Sequence, residues 1–227
     1  MNSDLKYWYL RNHALFSQLN EDDIQELCII SSFKTAKKGE IIYFSDQKID
    51  RLYSLKQGRI KIAYYNEKQE EVVSEILKEG DIFGELTLKQ YENKNQEFAQ
   101  VISDEVSICS FTLENFHGVL RKKPDLAIAY TQMVGDKLKT MGGKYADLIF
   151  KDVKMRVVNF FKLNAENEGK WDGKKVELNM YLTHQDIANY TAASRQTVST
   201  VINELIKDRK IIYDGRKKVV IPDITKL

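Results

Sequence analysis

The sequence predicts an α+β protein in which an antiparallel all-β unit is followed by a long helix and then by a helix-turn-helix with a β-hairpin. Three observations support this prediction. Between residues 33 and 112, short β-rich runs alternate with turn sequences, most of which contain glycine. From residue 124 the apolar residues recur with a helical period. Two capped helices and the hairpin signal Asp214-Gly215 then follow.

The composition excludes several classes of protein. The 227-residue chain is 43% hydrophobic and 30% charged, which is typical of a soluble globular protein with one large domain or two modest ones. The N-terminus lacks the apolar segment of a signal peptide, and no run approaches the roughly 18 apolar residues of a membrane span. We therefore expect a cytoplasmic protein. Cys28 and Cys109 form no disulfide framework or metal-ligand cluster, and we expect each to be a small buried residue.

Residues 1–32 are predicted to be helical, because Asn20 can cap a helix that has acidic residues in its first turn. The β-rich runs that follow are EIIYF, RLYSLK, RIKIAYY, EVVSEIL and VSICSF, separated by KKGE, KQGR, NEKQE and KEGD. Short strands at this spacing predict an antiparallel sandwich or barrel.

A single helix is predicted after residue 124, and its apolar residues are spaced by three or four positions. This spacing approaches a heptad seam, which favours packing against a partner helix; the alternative is a helix packed on its own sheet. The seam consists of Tyr130, Val134, Leu138, Met141, Tyr145 and Leu148. Gly135, Gly142 and Gly143 interrupt the helix and allow a close approach, a kink, or space for a bound group.

A domain boundary is predicted near residue 151, where a polar cap at Asp152 begins another helix. Residues 152–227 contain 14 basic and 10 acidic side chains, whereas the rest of the chain contains 21 and 23. The sign of this asymmetry suits an acidic partner for the C-terminal part.

The segment HQDIANYTAASRQTVSTVINELIKDR predicts a helix-turn-helix, because Thr183 and Ser194 are good N-caps for two helices joined by a short connection. Asp186 lies in the first turn, where the helix dipole favours a negative charge. Ile187 and the small Ala188 are expected to face inward. The second helix has the spacing of a buried stripe at Val198, Val201, Ile202, Leu205 and Ile206.

The opposite face of the second helix carries short hydrogen-bonding side chains, namely Arg195, Gln196, Ser199, Thr200 and Asn203. Such groups match the donors and acceptors of base edges in the DNA major groove. Arg195 can contact a guanine and Gln196 an adenine, while Thr183 and Thr197 can bond to phosphates. The alternative interpretation is the solvated face of a purely structural two-helix corner.

The hairpin that follows carries Arg216, Lys217 and Lys218 at its tip. Beside a DNA-binding helix, these side chains would form a wing against the phosphate backbone. The alternative is a basic hairpin whose charge only keeps it soluble.

Taken in order, several segments resemble the cyclic AMP receptor / fumarate-nitrate reductase regulator (CRP/FNR) family of bacterial transcription factors. These segments are KKGE, KQGRIKI, EGDIFGEL, the helix at 125–150 followed by FKDV, and LTHQDIANYTAASRQTVSTVINEL. The resemblance implies a cyclic-nucleotide-binding-type antiparallel β-roll (jelly roll) at 1–123, a dimerisation helix and hinge at 124–151, and a winged helix-turn-helix at 152–227.

The resemblance also implies a homodimeric regulator that reads a pseudo-palindromic DNA site and works with RNA polymerase. By this resemblance Arg195 and Gln196 occupy base-reading positions, and Ser199 and Thr200 share the reading face. Cyclic-AMP-responsive members typically have a second arginine at the position of Thr200. We therefore expect a different operator sequence, with a guanine contacted by Arg195 in each half-site.

The effector pocket departs further from the family pattern. Gly84, Glu85 and Leu86 match the family, but nucleotide-binding members place Arg-Ser before an alanine where this chain has Glu97 and Phe98. A carboxylate at this place would repel a cyclic phosphate.

A third departure lies on the long helix, where the Thr-Ser pair that contacts adenine in the family is matched by Met141 and Gly142. We therefore expect no dependence on cyclic AMP, unless Lys89 or Lys94 replaces the missing arginine. An obligatory small-molecule receptor and a regulator without any effector both remain open.

Other cofactors and enzyme activity are also not expected. An iron–sulfur cluster needs several cysteine thiolates, and haem needs an axial ligand, whereas His13 and His117 are isolated and His184 lies in the helix-turn-helix. The chain has no metal-ligand spacing, nucleophile elbow or P-loop, so we predict that it is not an enzyme.

Overall fold

The computed structural model describes residues 3–17, 19–44, 51–86, 97–215 and 217–227. The chain divides into two compact units. The first unit consists of Met1–Glu70 and Ser74–Met141, and the second consists of Glu71–Val73 and Gly142–Leu227. The helices are α1 (Ser3–Arg11), α2 (Glu21–Ile30), α3 (Leu113–Lys122), α4 (Pro124–Phe150), α5 (Val153–Glu168), α6 (His184–Thr191), α7 (Arg195–Lys207) and a 3-10 turn (Ile224–Lys226). The strands are β1 (Ser32–Lys37), β2 (Ile41–Phe44), β3 (Arg51–Gln57), β4 (Ile60–Tyr65), β5 (Glu71–Leu77), β6 (Ile82–Gly84), β7 (Glu97–Val101), β8 (Glu105–Thr112), β9 (Lys170–Asp172), β10 (Lys175–Asn179), β11 (Ile212–Tyr213) and β12 (Lys218–Ile221).

The β-rich region forms two four-stranded antiparallel sheets, ordered β1-β8-β3-β6 and β2-β7-β4-β5, which confirms the predicted antiparallel unit. Strands β1, β6 and β7 were not singled out by the sequence. Strand β1 has the mostly exposed sequence SFKTAK, and strand β6 has only three residues, so neither shows a clear alternation of apolar and polar residues.

Strand β8 is buried on both faces and lies between two apolar cores. Its Val106 and Ile108 belong to the core inside the β-roll. Its Cys109 and Phe111 belong to a second core, which the helices α1 to α4 build on the outer face of the sheet. Because side chains alternate along a strand, this arrangement explains why a nearly continuous apolar run forms one strand.

Glycine is required where the chain leaves β6. Gly84 has φ +96°, and a Cβ atom there would lie 2.6 Å from the carbonyl oxygen of Arg51 and 2.9 Å from the ring of Tyr53. A side chain at this position would therefore clash with β3 as well as strain the backbone.

Helix α4 is continuous through its glycines, and its apolar stripe has two different environments. Tyr130 and Val134 pack on the helical core of the first unit, which is the alternative that the sequence left open. Leu138, Met141 and Tyr145 are 71%, 66% and 67% exposed, and Leu148 is 40% exposed. The continuation of the stripe is therefore an uncovered apolar surface.

In the second unit, α5 packs on strand β10 of a sheet ordered β11-β12-β10-β9, and α6 and α7 pack on α5 and on each other. Asp152 caps α5 as expected, with its Oδ1 accepting a hydrogen bond of 2.8 Å from the backbone N–H of Met155. Among the described residues, no helix combines the length and apolar character that a membrane crossing requires.

Candidate nucleic-acid interface

Two N-caps fix the start of each helix in the α6–α7 pair. Thr183 and Asp186 form a reciprocal capping box, in which each side chain bonds to the other residue's backbone N–H. Ser194 caps α7 by accepting a hydrogen bond of 3.0 Å from the backbone N–H of Thr197. Between the helices, Ala192 adopts a left-handed conformation (φ +50°), which turns the chain within a few residues.

The buried residues of the α6–α7 pair agree with those predicted from the sequence, with one exception. Ile187, Ala188 and the α7 residues Val198, Val201, Ile202 and Leu205 are buried. Ile206, however, is 39% exposed. Successive helical residues differ by about 100°, so Leu205 takes the inward position in the last turn and Ile206 lies at its edge.

The outward face of α7 presents the polar groups that the sequence assigned to base reading. Arg195 and Gln196 are exposed at its start, and their side chains make no hydrogen bond or ion pair with the described residues. Thr200 donates its hydroxyl proton to the carbonyl oxygen of Gln196 at 3.1 Å, which leaves its lone pairs directed outward. Asn203 is also exposed.

Ser199 differs from its neighbours because it is half-buried and has a partner on α6. Its Oγ lies 3.0 Å from Nδ1 of His184. Burial and, secondarily, the Arg195 guanidinium lower the pKa of His184. The sequence suggested that His184 lies at the phosphate face or in solvent; the structure makes it the partner of a predicted base-reading residue.

The predicted phosphate-binding residues fall into two groups. The hydroxyls of Thr183 and Thr197 are engaged in the helix caps, where they bond to Asp186 and Ser194 respectively. Lys217 is exposed in the connection between β11 and β12, and Lys218, the first residue of β12, is also exposed. The Nζ of Lys218 lies 3.8 Å from a carboxylate oxygen of Glu177 on β10. Arg216 lies outside the described residues.

Sequence reasoning missed a residue that holds the turn between the two helices. The guanidinium of Arg156 donates to the carbonyl oxygens of Thr191 at 2.8 Å and Ala192 at 3.2 Å, and also to that of Lys151 at 2.8 Å. It thereby satisfies carbonyls at the end of α6 that the helix leaves unpaired. An isolated arginine on a predicted amphipathic helix gives no signal of this long-range role.

The interior of the β-roll is acidic and aromatic near the predicted effector position. Tyr43 donates a hydrogen bond of 3.0 Å to Oε1 of Glu97, and its ring stacks on those of Tyr53 and Phe83. Burial raises the pKa of Glu97, and the carboxylates of Glu75 and Glu85 add to this effect, while the Tyr43 hydrogen bond opposes it. Lys137 on α4 forms an ion pair of 2.6 Å with Glu75.

The structure does not bring all of the predicted effector residues together. Phe98 lies on the opposite face of β7 from Glu97 and stacks on Tyr65, because adjacent strand residues point to opposite faces. Leu86 instead offers its carbonyl oxygen to the Tyr130 hydroxyl of α4 at 2.7 Å. Met141 is largely exposed.

The remaining predicted effector position, Gly142, lies within α4. Lys89 and Lys94 lie outside the described residues. Within the described ranges, no group of three or more His, Cys, Asp or Glu side chains has the arrangement of a metal site.

Models of two known domain families match the sequence, one in the β-rich N-terminal part and one in the C-terminal helix-turn-helix part. The sequence model of the cyclic nucleotide-binding domain matches residues 33–123, and that of the Crp-like helix-turn-helix domain matches residues 155–227. The chain belongs to the CRP/FNR family of transcription regulators. Members of this family are regulators rather than enzymes.

Individual relatives of this CRP/FNR-family protein are distant but match along most of their length. The global nitrogen regulator of Nostoc sp. is 23% identical over 83% of this chain and 84% of its own. The CRP-like cAMP-activated global transcriptional regulator of Mycobacterium tuberculosis is 25% identical over 84% of each chain.

Solved structures share the fold at similarly low identity. A CooA mutant from Carboxydothermus hydrogenoformans superposes with a TM-score of 0.73 at 23% identity, covering 87% of this chain and 86% of its own. The c-di-GMP-responsive regulator CLP of Xanthomonas campestris gives a TM-score of 0.73 at 18% identity, covering 89% and 99%.

Proposed function

We propose that this protein is a homodimer that reads a pseudo-palindromic DNA site and does not depend on cyclic AMP. The observation that carries this proposal is the polar start of α7, where the Arg195 and Gln196 side chains are exposed and form no hydrogen bond with the residues that the structure describes. In a helix-turn-helix, the N-terminal residues of the second helix contact the base edges. Arg195 would then bond to guanine, and the hairpin lysines, Lys217 and Lys218, would contact phosphates.

The exposed stripe on α4 supports a dimer. Leu138, Met141 and Tyr145 are each about two-thirds exposed, which is unfavourable for large apolar side chains unless another surface covers them. A second copy of α4 with the same stripe would bury them in a self-complementary interface. Dimeric helix-turn-helix proteins bind two half-sites about 34 Å apart, one DNA turn, so each half-site would receive one Arg195.

The proposed independence from cyclic AMP rests on the charge inside the β-roll. A cyclic phosphate would approach Glu97 and the neighbouring carboxylates Glu75 and Glu85, and the ammonium of Lys137 is already paired with Glu75. Like charges at short range in a partly buried site oppose binding. The proposal also requires no haem or iron–sulfur cluster for DNA binding, and it includes contact with RNA polymerase as a further step.

Selection of binding sites from a random duplex pool, with purified protein and no added ligand, tests the proposal. We expect enrichment of a pseudo-palindrome with a guanine in each half-site. An enriched site that loses its guanine preference with Arg195→Ala would support the assignment. A folded protein that enriches no sequence would refute ligand-independent reading.

A receptor that requires a small molecule is the second candidate, because similar regulators are named as cAMP-activated and as c-di-GMP-responsive. Calorimetric titration with each nucleotide distinguishes the two candidates. Heat of binding together with site enrichment only in the presence of the nucleotide would favour the receptor. No heat and unchanged thermal unfolding would exclude that nucleotide as the effector.

A further inference from the structure

The contact between His184 and Ser199 joins the first helix of the helix-turn-helix to the reading face of the second. His184 is the first residue of α6, and Ser199 lies one turn after Arg195 on α7. Their 3.0 Å separation is short enough for a hydrogen bond. The hydroxyl of Ser199 is therefore oriented by the imidazole rather than free to rotate.

The direction of this hydrogen bond determines what Ser199 can offer to DNA. A serine hydroxyl has one proton and two lone pairs. If Nδ1 of His184 carries no proton, Ser199 must donate its proton to it and presents only lone pairs outward. If Nδ1 carries a proton, His184 donates, and the Ser199 proton becomes available to a base.

The two states suit different bases. Among the exocyclic groups in the major groove, N6 of adenine and N4 of cytosine are amino donors, whereas O6 of guanine and O4 of thymine are carbonyl acceptors. We propose that His184 is a specificity-determining positioning residue whose protonation state selects the base read by Ser199. In this proposal a neutral His184 carries its proton on Nε2, so that Nδ1 accepts from Ser199 and the serine favours adenine or cytosine at that position. A protonated His184 donates from Nδ1, and the serine then favours guanine or thymine. This inference rests on the proposed function, since it assumes that α7 reads DNA.

The surroundings of His184 move its change of protonation to a more acidic pH. The groups that face its ring are Arg195 on α7 and Tyr213 on β11, whose ring centroid is 6.5 Å away; on its own helix lies Asp186, whose carboxylate is engaged in the capping box. Burial and Arg195 lower the pKa of His184 below its ordinary value of 6.5, so the imidazole is neutral at pH 8. DNA phosphates oppose the effect of Arg195 and favour protonation in the complex.

The test is site selection with the full chain at pH 8 and at pH 5.5, with circular dichroism to check folding at both. Three proteins are compared: the natural chain, His184→Asn and Ser199→Ala. Asparagine keeps an amide near the position of Nδ1 but does not titrate in this range. Ser199→Ala removes the hydroxyl and keeps the imidazole.

We expect the natural chain to change its preference at one base pair per half-site, by about fivefold, which is the effect of one ordinary hydrogen bond. His184→Asn should show the same preference at both pH values. Ser199→Ala should lose discrimination at that base pair at both pH values, while the guanine assigned to Arg195 stays enriched throughout.

Two results would overturn the inference while leaving DNA reading intact. One is a retained Arg195 guanine together with a base preference at the Ser199 position that does not change with pH. The other is a pH-dependent change that persists in His184→Asn. If the folded natural chain enriches no site at either pH, the proposed function itself fails, and the inference fails with it.

Discussion

Lys56 is a buried cation whose replacement should stabilise the protein. It lies at an irregularity of β3, where the register with β8 shifts between Leu55 and Gln57, and only 2% of its surface is exposed. Within the described part of the chain, Nζ has no hydrogen-bond partner, and the ring of Phe16 is 5.9 Å away. A bulge turns a side chain away from its regular direction, and here it accompanies a buried amine.

The cost follows from the pKa. Burial lowers the pKa of Lys56 from 10.5 to about 8, against the opposing influence of the Cys109 and Cys28 thiols and Glu79. The unfolded chain binds this proton up to pH 10.5 and the folded chain only up to about pH 8, so stability rises with pH between these values. Below pH 8 the full penalty applies, and a shift of this size corresponds to about 3 kcal/mol.

Lys56→Met removes the charge and keeps a flexible apolar stem of similar length. We expect urea unfolding at pH 7 to give a free energy of unfolding about 3 kcal/mol higher than that of the natural chain. The difference should shrink as the pH rises from 8 towards 10. Lys34→Met is the control, because Lys34 is exposed on β1 of the same sheet and should show neither effect. A less stable Lys56→Met protein, or a difference that does not vary with pH, would refute this account.

Three further substitutions test the DNA-binding proposal. Arg195→Ala should reduce the binding free energy for a selected duplex by about 1–3 kcal/mol and relax the preference at one base pair per half-site. If Arg195→Ala instead weakened binding equally to the selected duplex and to duplexes with one base pair replaced, Arg195 would not read a base. Lys217→Ala should weaken DNA binding equally for every sequence and reduce the slope of log K against log salt concentration by about 1. An unchanged slope would show that Lys217 does not contact a phosphate. Leu138→Glu should convert a dimer to monomers in sedimentation, because a carboxylate would be buried between the two α4 helices. Thr140→Glu, on the other side of α4, should leave the dimer intact. A natural chain that sediments as a monomer would refute the proposed dimer contact along α4.

The parts of the molecule that could be predicted from sequence are those set by local pattern. The caps at Thr183 and Ser194 and the apolar period of α7 fix a helix-turn-helix without reference to the rest of the chain. Contacts between distant residues could not be predicted in this way. Arg156 reaches a carbonyl 35 residues along the chain, and the bond between His184 and Ser199 depends on how two helices cross.

The buried amine of Lys56 illustrates a different limit. Its sequence context, RLYSLKQGRI, has the alternation of a half-exposed strand, and a lysine in such a strand is expected on the solvent face. Here the helices α1 to α4 cover the outer face of the sheet, so this strand has no solvent face. Whether a polar residue of this strand is exposed therefore depends on the helices that cover the sheet, and the sequence of the strand does not reveal them.

Helix α4 is joined to the β-roll by polar contacts that limit how an effector could act. Tyr130 donates to the carbonyl oxygen of Leu86, and Lys137 pairs with Glu75 on β5. A ligand can shift a protein only by the difference between its affinities for two arrangements. An anion in the roll interior would compete with Glu75 for the Lys137 ammonium, and it would gain one cation only by releasing a carboxylate beside Glu97. The free energy of that exchange would oppose binding, so we expect the contacts that hold α4 against the roll to disfavour an anionic effector as well.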